Sequence, residues 1–120
     1  MFEHWLNTDV TSLPKVAHIP GIAFRLDEDA YKLGVNVFDD GDALSLSGDV
    51  EGWIIKNDGS SMKIDGERDG NQAWIVLPDD ACDTLGKISI FIKVVIGDEV
   101  ITLGGFETVI YPSQTNNIIN

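Results

Sequence analysis

The alternation of apolar residues along residues 88–96 constrains the fold of this chain more than any other feature. The alternating residues are Ile88, Ile90, Ile92, Val94 and Ile96. Successive side chains of a β-strand point to opposite faces, so a period of two predicts a strand with one fully apolar face. Phe91 and Val95 make the opposite face partly apolar as well, which predicts a central position in a sheet.

The same period recurs along most of the chain, in short segments separated by turn residues. Further strands are predicted at Tyr31–Val37, from Ala43 to near Gly48, and at Val50–Lys56, Ser61–Ile64, Asn71–Leu77 and Val100–Tyr111. Asn57-Asp58-Gly59 is a strong hairpin turn, Pro78–Cys82 suits one helical turn, and Gly104-Gly105 suggests a bulge or a close backbone approach. Short strands at roughly ten-residue spacing without a long helix predict an all-β fold. We expect an antiparallel immunoglobulin-like β-sandwich of about seven or eight strands.

The chain is predicted to have three parts. Residues 1–20 contain Pro14 and Pro20 and few alternating positions, and we expect an extended N-terminal arm that lies over the domain or a neighbour. Residues 21–112 form the sandwich domain, and residues 113–120 form a polar C-terminal tail. Apolar side chains on an arm need a groove to occupy. The predicted partner-binding residues are Phe2, Trp5, Leu6 and Ile19.

Charge excludes two classes of partner. The 120-residue chain has 8 basic and 20 acidic residues, a net charge of -12. Such a charge repels phosphate backbones and anionic membranes, so we expect neither nucleic-acid nor membrane binding. The acidic surface serves solubility at high copy number or complements a basic partner surface. Residues 1–5 lack the basic start and apolar core of a signal peptide. We therefore expect the protein to be assembled in the cytoplasm.

The sequence offers no set of residues suited to catalysis or to metal binding. His4 and His18 both lie in the predicted arm without partners at catalytic spacing, and Cys82 follows two acids, which would raise its pKa. Asp27–Asp29 and Asp39–Asp42 flank one predicted strand, which separates them by roughly 30 Å, so they cannot share one ion. We therefore predict no catalytic, cofactor-binding or metal-binding residues, and no enzymatic activity.

Trp53 and Trp74 keep a second function open. A tryptophan ring on a strand can act as a platform for a sugar, although tryptophans in strands are more often core or interface anchors. A carbohydrate-binding module that recognises host surface glycans through Trp53 or Trp74 is therefore the alternative hypothesis.

Residues 30–120 resemble a family of phage tail proteins. The resemblance rests on the order of these segments: Tyr31–Val37 before a polar turn, Leu46–Gly52 before an aromatic strand, Asn57–Ser60 where the family usually has Pro-Asp-Gly, Gly70–Ala73 with Leu77-Pro78, Gly86–Ile90, and Thr115–Ile119. The family comprises the N-terminal domains of upper baseplate proteins from phages of Gram-positive bacteria, together with related modules in gut-bacterial prophages.

The resemblance implies a β-sandwich that attaches parts to a virion, commonly as a trimer, and it implies no catalytic residues. We therefore expect a bacteriophage virion structural protein: a tail or baseplate adaptor, a capsid decoration or head-fibre base, or a fragment of a longer fibre protein. Its expected partners are other virion proteins and its own copies. Family members usually continue into a stalk and a host-recognition domain, whereas this sequence ends at Asn120.

Overall fold

The computed structural model describes residues 2–23 and 31–112, and most of these residues lie in β-strands. The strands are β1 (Phe2–Asp9), β2 (Lys15–His18), β3 (Ile22–Ala23), β4 (Tyr31–Asp39), β5 (Asp42–Ala43), β6 (Ser47–Ile55), β7 (Ser61–Asp65), β8 (Glu67–Asp69), β9 (Gln72–Val76), β10 (Gly86–Ile96) and β11 (Glu99–Tyr111). One turn of 3-10 helix, Asp79–Cys82, follows Pro78, as the sequence predicts. No helix of the described residues is long and apolar enough to span a bilayer.

The strands form two sheets. Sheet I has the order β1-β4-β9-β8, with β5 paired to β4, and sheet II has the order β2-β11-β10-β6-β7, with β3 paired to β11. The expected all-β architecture is present, and the two-sheet arrangement is consistent with a β-sandwich. The sheets are mixed rather than antiparallel, because β1 runs parallel to β4 while β2 and β3 run parallel to β11.

Residues of the predicted arm supply strands to both sheets. Phe2–Asp9 pairs along its whole length with Tyr31–Phe38, and Lys15–His18 pairs with Gly104–Glu107. Within the described residues, β1 is an edge strand of sheet I and β2 is an edge strand of sheet II. Residues 2–18 are therefore hydrogen-bonded parts of the sheets instead of a segment that lies over them.

A single apolar core lies between the two sheets, because the alternating positions of their strands turn the same side inward. Its largest fully buried members are Phe106, Ile22, Leu33, Ile54, Ile75, Leu77, Ile88, Ile90, Ile92, Val35, Val37 and Val94. The buried face predicted for residues 88–96 is present from Ile88 to Val94, whereas Ile96 is only partly buried. Leu6 of β1 packs against this core, which links the first strand to the rest of the molecule.

The predicted irregularity near Gly104-Gly105 is present in the pairing of β10 with β11. Ile92 lies opposite Gly104 and Lys93 lies opposite Thr102, which leaves Leu103 as the extra residue of a bulge. A Cβ at Gly104 would lie 2.8 Å from Cδ2 of Leu6, so this position needs glycine where the two sheets approach each other.

The described residues contain eleven strands, more than the seven or eight expected. The excess comes from β1 and β2, which lie within the predicted arm, and from β3 and β8, which have two and three residues and are too short to show a period. The predicted tail, residues 113–120, and the acidic cluster Asp27–Asp29 lie outside the described residues.

Candidate functional site

The outer face of sheet I carries a regular array of aromatic and polar side chains. Leu33, Val35 and Val37 of β4 are buried, so the residues between them face away from the core. The strand register then places Trp5, Gly34, Trp74 and Glu67 in one row across β1, β4, β9 and β8. The next row along the strands contains Asn7, Asn36, Gln72 and Asp69.

Trp5, Trp74 and Lys32 form a compact cluster on this face. The two indole centroids are 6.2 Å apart at an interplanar angle of 60°. Lys32 Nζ lies 4.5 Å from the Trp74 centroid and 5.6 Å from the Trp5 centroid, within cation–π range of both rings. Gly34 makes the cluster possible, because a Cβ there would lie 2.6 Å from Cε3 of Trp5. The Trp5 ring therefore covers the gap that Gly34 leaves.

A ladder of side-chain amides runs beside the aromatic row. Gln72 Nε2 donates to Asn36 Oδ1 at 2.9 Å, and Asn36 Nδ2 donates to Asn7 Oδ1 at 3.0 Å. These bonds fix the orientation of all three amides. They use one polar atom of Asn7 and one of Gln72, which leaves the Asn7 amide NH₂ and the Gln72 carbonyl to bind solvent or a ligand.

An open cleft of about 690 Å³ adjoins Trp74 at the side of the molecule where β8 is the edge strand of sheet I. Its walls include Asp49 and Val50 of β6, Asp65 of β7, Glu67 and Arg68 of β8, and Trp74 of β9. Arg68 is held in place, because its Nε donates to the Gly48 carbonyl at 2.8 Å and its Nη1 to the Leu46 carbonyl at 3.2 Å. The cleft is therefore polar, with a fixed guanidinium and three carboxylates around one indole.

Trp53 lies in a different setting, on the outer face of sheet II. It pairs with Phe91 of β10 and Lys63 of β7, and Lys93 Nζ lies 4.9 Å from its ring centroid. Its indole Nε1 is buried without a hydrogen-bond partner among the described residues. Trp53 therefore presents no accessible indole donor, and it lines neither the cleft beside Trp74 nor the groove beside Ile19.

The four predicted partner-binding residues do not converge on one surface. Phe2 is 66% exposed and stacks on Tyr31 at 5.5 Å between ring centroids, whereas Leu6 faces the core. Trp5 belongs to the aromatic cluster of sheet I. Ile19 is half-buried and lines a groove of about 330 Å³ together with Val109. Their predicted role in partner binding remains a prediction.

Two further exposed apolar residues lie within residues 1–20, and the sequence pattern did not indicate them. Leu13 is 87% exposed in the connection between β1 and β2, and Val16 of β2 is 48% exposed. Pro14 follows Leu13 in this connection. Proline interrupts regular structure, so it is the sequence signal for a loop between β1 and β2. We call Phe2, Leu13, Val16 and Val109 the N-terminal edge: the first three lie on β1, on the β1–β2 connection and on β2, and Val109 lies on β11 near Gly21, which precedes β3.

The acidic turn Asp39–Asp42 is organised by Asp9 at the end of β1. The Asp9 carboxylate accepts hydrogen bonds from Thr11 Oγ1 at 2.7 Å, Thr11 N at 2.9 Å, Gly41 N at 2.9 Å and Asp40 N at 3.0 Å. These donors, with the Thr11 hydroxyl first, hold the pKa of Asp9 well below its usual range. The arrangement is a hydrogen-bonded turn.

The histidines and the cysteine take up separate positions. His4 stacks on Tyr31 at 6.5 Å, and His18 Nδ1 lies 3.3 Å from Glu107 Oε2, a partner that sequence spacing could not reveal. Cys82 is fully buried, and burial, followed by the charges of Asp79 and Asp83, raises its pKa to about 11. Among the described residues, no three His, Cys, Asp or Glu side chains form a group able to hold a metal ion.

No protein-family model matches this chain, and no curated protein matches it significantly.

Proposed function

We propose that this chain is a non-enzymatic, immunoglobulin-like docking module of a bacteriophage particle, attached to another virion protein through its N-terminal edge. The observation that carries the proposal is the placement of exposed apolar side chains. The exposed large apolar residues of the described chain are Phe2, Leu13, Val16, Ile55, Leu85, Val100 and Val109. Four of these seven lie on or beside the N-terminal strands, spread along their length from Phe2 to Leu13 and Val16 and to the neighbouring Val109.

The strand order supports the immunoglobulin-like part of the proposal. If β4, β6, β7, β8, β9, β10 and β11 are taken as strands B, C, C′, D, E, F and G, sheet I contains B-E-D and sheet II contains G-F-C-C′. These are the neighbours that an immunoglobulin-like sandwich requires. The N-terminal strands are additions to this frame, with β1 beside B and β2 and β3 beside G.

Attachment to a particle follows from the resemblance to baseplate domains and fits the chemistry of the edge. Each fully buried apolar side chain of this size contributes about 1.5–3 kcal/mol. Symmetric repetition, as a trimer, multiplies several such contacts into firm attachment. The net charge of -12 favours a partner with a basic surface around the apolar contact.

Two measurements test the proposal. Mass spectrometry of phage particles, purified from the bacterium or lysate that encodes the chain, is expected to find the protein at a fixed ratio to a major capsid or tail protein. Sedimentation of the purified chain is expected to give three times the chain mass of 13.1 kDa. Purified particles that lack the protein would refute the virion assignment, and a monomer at high concentration would refute the trimer.

A further inference from the structure

The cleft beside Trp74 combines two kinds of polar group with one aromatic residue. Carboxylates accept hydrogen bonds and a guanidinium donates them. Asp65 and Glu67 supply the first kind and Arg68 the second. A ligand that satisfies all of them needs many groups that both donate and accept, which is the property of sugar hydroxyls.

Trp74 provides the apolar element that a sugar ring requires. The C–H face of a pyranose is apolar, and an indole offers a large rigid surface for it at low entropic cost. Trp74 is partly exposed and is held by contacts with Trp5 and Lys32, so its orientation is set before a ligand arrives. A preorganised ring loses little freedom on binding, which favours affinity.

The charges around the cleft select among saccharides. Asp49, Asp65 and Glu67 outnumber Arg68, and the whole chain carries a net charge of -12. A carboxylate or phosphate on the ligand would be repelled, whereas neutral and amino sugars would not. A peptide is a weaker candidate, because the edge strand at the cleft, β8, has three residues and offers little backbone for strand addition.

We propose that Trp74 and the cleft beside it bind a neutral saccharide. This function is independent of particle attachment, because the cleft borders β8 at one end of sheet I while the N-terminal edge lies at β1 and β2. It also assigns different roles to the two tryptophans that the sequence left open. Trp74 contacts the sugar, whereas Trp53, with its buried indole nitrogen, is a structural residue of sheet II.

The test is an array of neutral oligosaccharides built from glucose, galactose and N-acetylglucosamine, printed beside their sialylated counterparts. The protein is expected to bind at least one neutral member and to bind its sialylated counterpart about tenfold more weakly or not at all. Absence of binding to every neutral member overturns the proposal. Equal or tighter binding of the sialylated counterpart overturns it as well.

Matched variants then locate the site by calorimetry with the neutral oligosaccharide that binds best. Trp74→Ala is expected to weaken binding about tenfold or more, and Trp53→Ala less than about twofold. Full binding by a folded Trp74→Ala variant, or loss of binding in Trp53→Ala alone, overturns the assignment. If Trp74→Ala does not fold, the exposed Glu67→Ala replaces it, with Glu99→Ala as the control at a distant turn. Glu67→Ala is expected to lose about threefold or more in affinity, and no change there contradicts the proposal.

Discussion

The carboxylate of Asp9 accepts a hydrogen bond from the backbone N–H of Gly41 at 2.9 Å, 32 residues further along the chain. Gly41 and Asp40 both have positive φ, at 90° and 49°, so the turn after β4 adopts a conformation that few residues accept. By bonding both backbone amides, Asp9 ties the end of β1 to this turn. The N-terminal strand is therefore anchored at its far end by a side chain as well as along its length by the sheet.

Asp9→Asn is expected to reduce stability at neutral pH and to weaken the acid sensitivity of the fold. The native carboxylate has a lowered pKa, so its contribution is present above the unfolded value of about 3.9 and is lost as pH falls below that value. Urea melts between pH 7 and pH 3 would measure this. Asp42→Asn, an exposed carboxylate in neighbouring β5, is the control. Identical pH dependence in wild type and Asp9→Asn would contradict the assigned role.

Leu6→Ala is expected to destabilise the protein by about 2 kcal/mol, at the low end for a buried leucine, because Leu6 is only partly buried against the core. Leu13→Ala, at an 87% exposed position of the same segment, is expected to change stability by less than about 0.5 kcal/mol. Denaturant unfolding measures both. Deletion of residues 1–20 is likewise expected to damage the fold, because it removes β1 and β2. Equal effects of the two substitutions would show that β1 contributes nothing to the core.

Gly34→Ala is expected to displace the Trp5 ring and to cost about 1–3 kcal/mol of stability, because the new Cβ would overlap the indole. The displacement would also change the tryptophan fluorescence. The same substitution in a Trp5→Ala background is expected to cost much less, because the obstructing ring is gone. Additive effects in this double-mutant cycle would mean that Trp5 does not lie over Gly34 in solution.

Cys82 is expected to resist alkylation in the native protein. Burial and the neighbouring carboxylates raise its pKa to about 11, so at pH 8 the reactive thiolate is on the order of 0.1% of the population. Iodoacetamide labelling, followed by mass spectrometry, is expected to be at least about 100-fold slower in buffer than in urea. Fast labelling of the folded protein would show that the 3-10 turn opens readily.

The alternating strands could be predicted from the sequence because one face of each is buried. Ala73, Ile75 and Leu77 are buried as expected from their period, and Trp74 and Val76 lie on the opposite, partly exposed face. The Asn57-Asp58-Gly59 turn is also present, with Gly59 at φ 87°. These features depend on residues that are close in the sequence, which is why local pattern and turn chemistry suffice.

The first strand could not be predicted, because its inward positions are chemically mixed. Phe2, His4, Leu6 and Thr8 share the inner face of β1, and the histidine and threonine hide the period of two. Its pairing is also parallel, and the partner strand β4 lies about 30 residues away. Parallel strands are not joined by a short turn, so no turn motif in the sequence indicates this contact. The mixed character of the sheets comes from β1 in sheet I and from β2 and β3 in sheet II.

The candidate binding face could be predicted only in part, because it depends on register between strands. Trp74 was a candidate from its residue type, whereas its contact with Trp5 links residues 69 positions apart. The ladder of Asn7, Asn36 and Gln72 likewise requires three strands in one register. Asn7 and Asn36 lie on other strands than Trp74, so spacing along the sequence does not place their amides beside it.

Attachment through the N-terminal edge is the central claim, and the copy number of two leucine variants in purified particles tests it most directly. Leu13→Ser removes an apolar side chain from the edge, whereas Leu85→Ser removes one that is 47% exposed elsewhere on the surface. Both variants are expected to fold, which thermal melting would verify. Quantitative mass spectrometry of particles is expected to show a loss of about tenfold for Leu13→Ser and wild-type occupancy for Leu85→Ser. Wild-type occupancy of Leu13→Ser, or equal loss in both variants, would contradict docking through this edge.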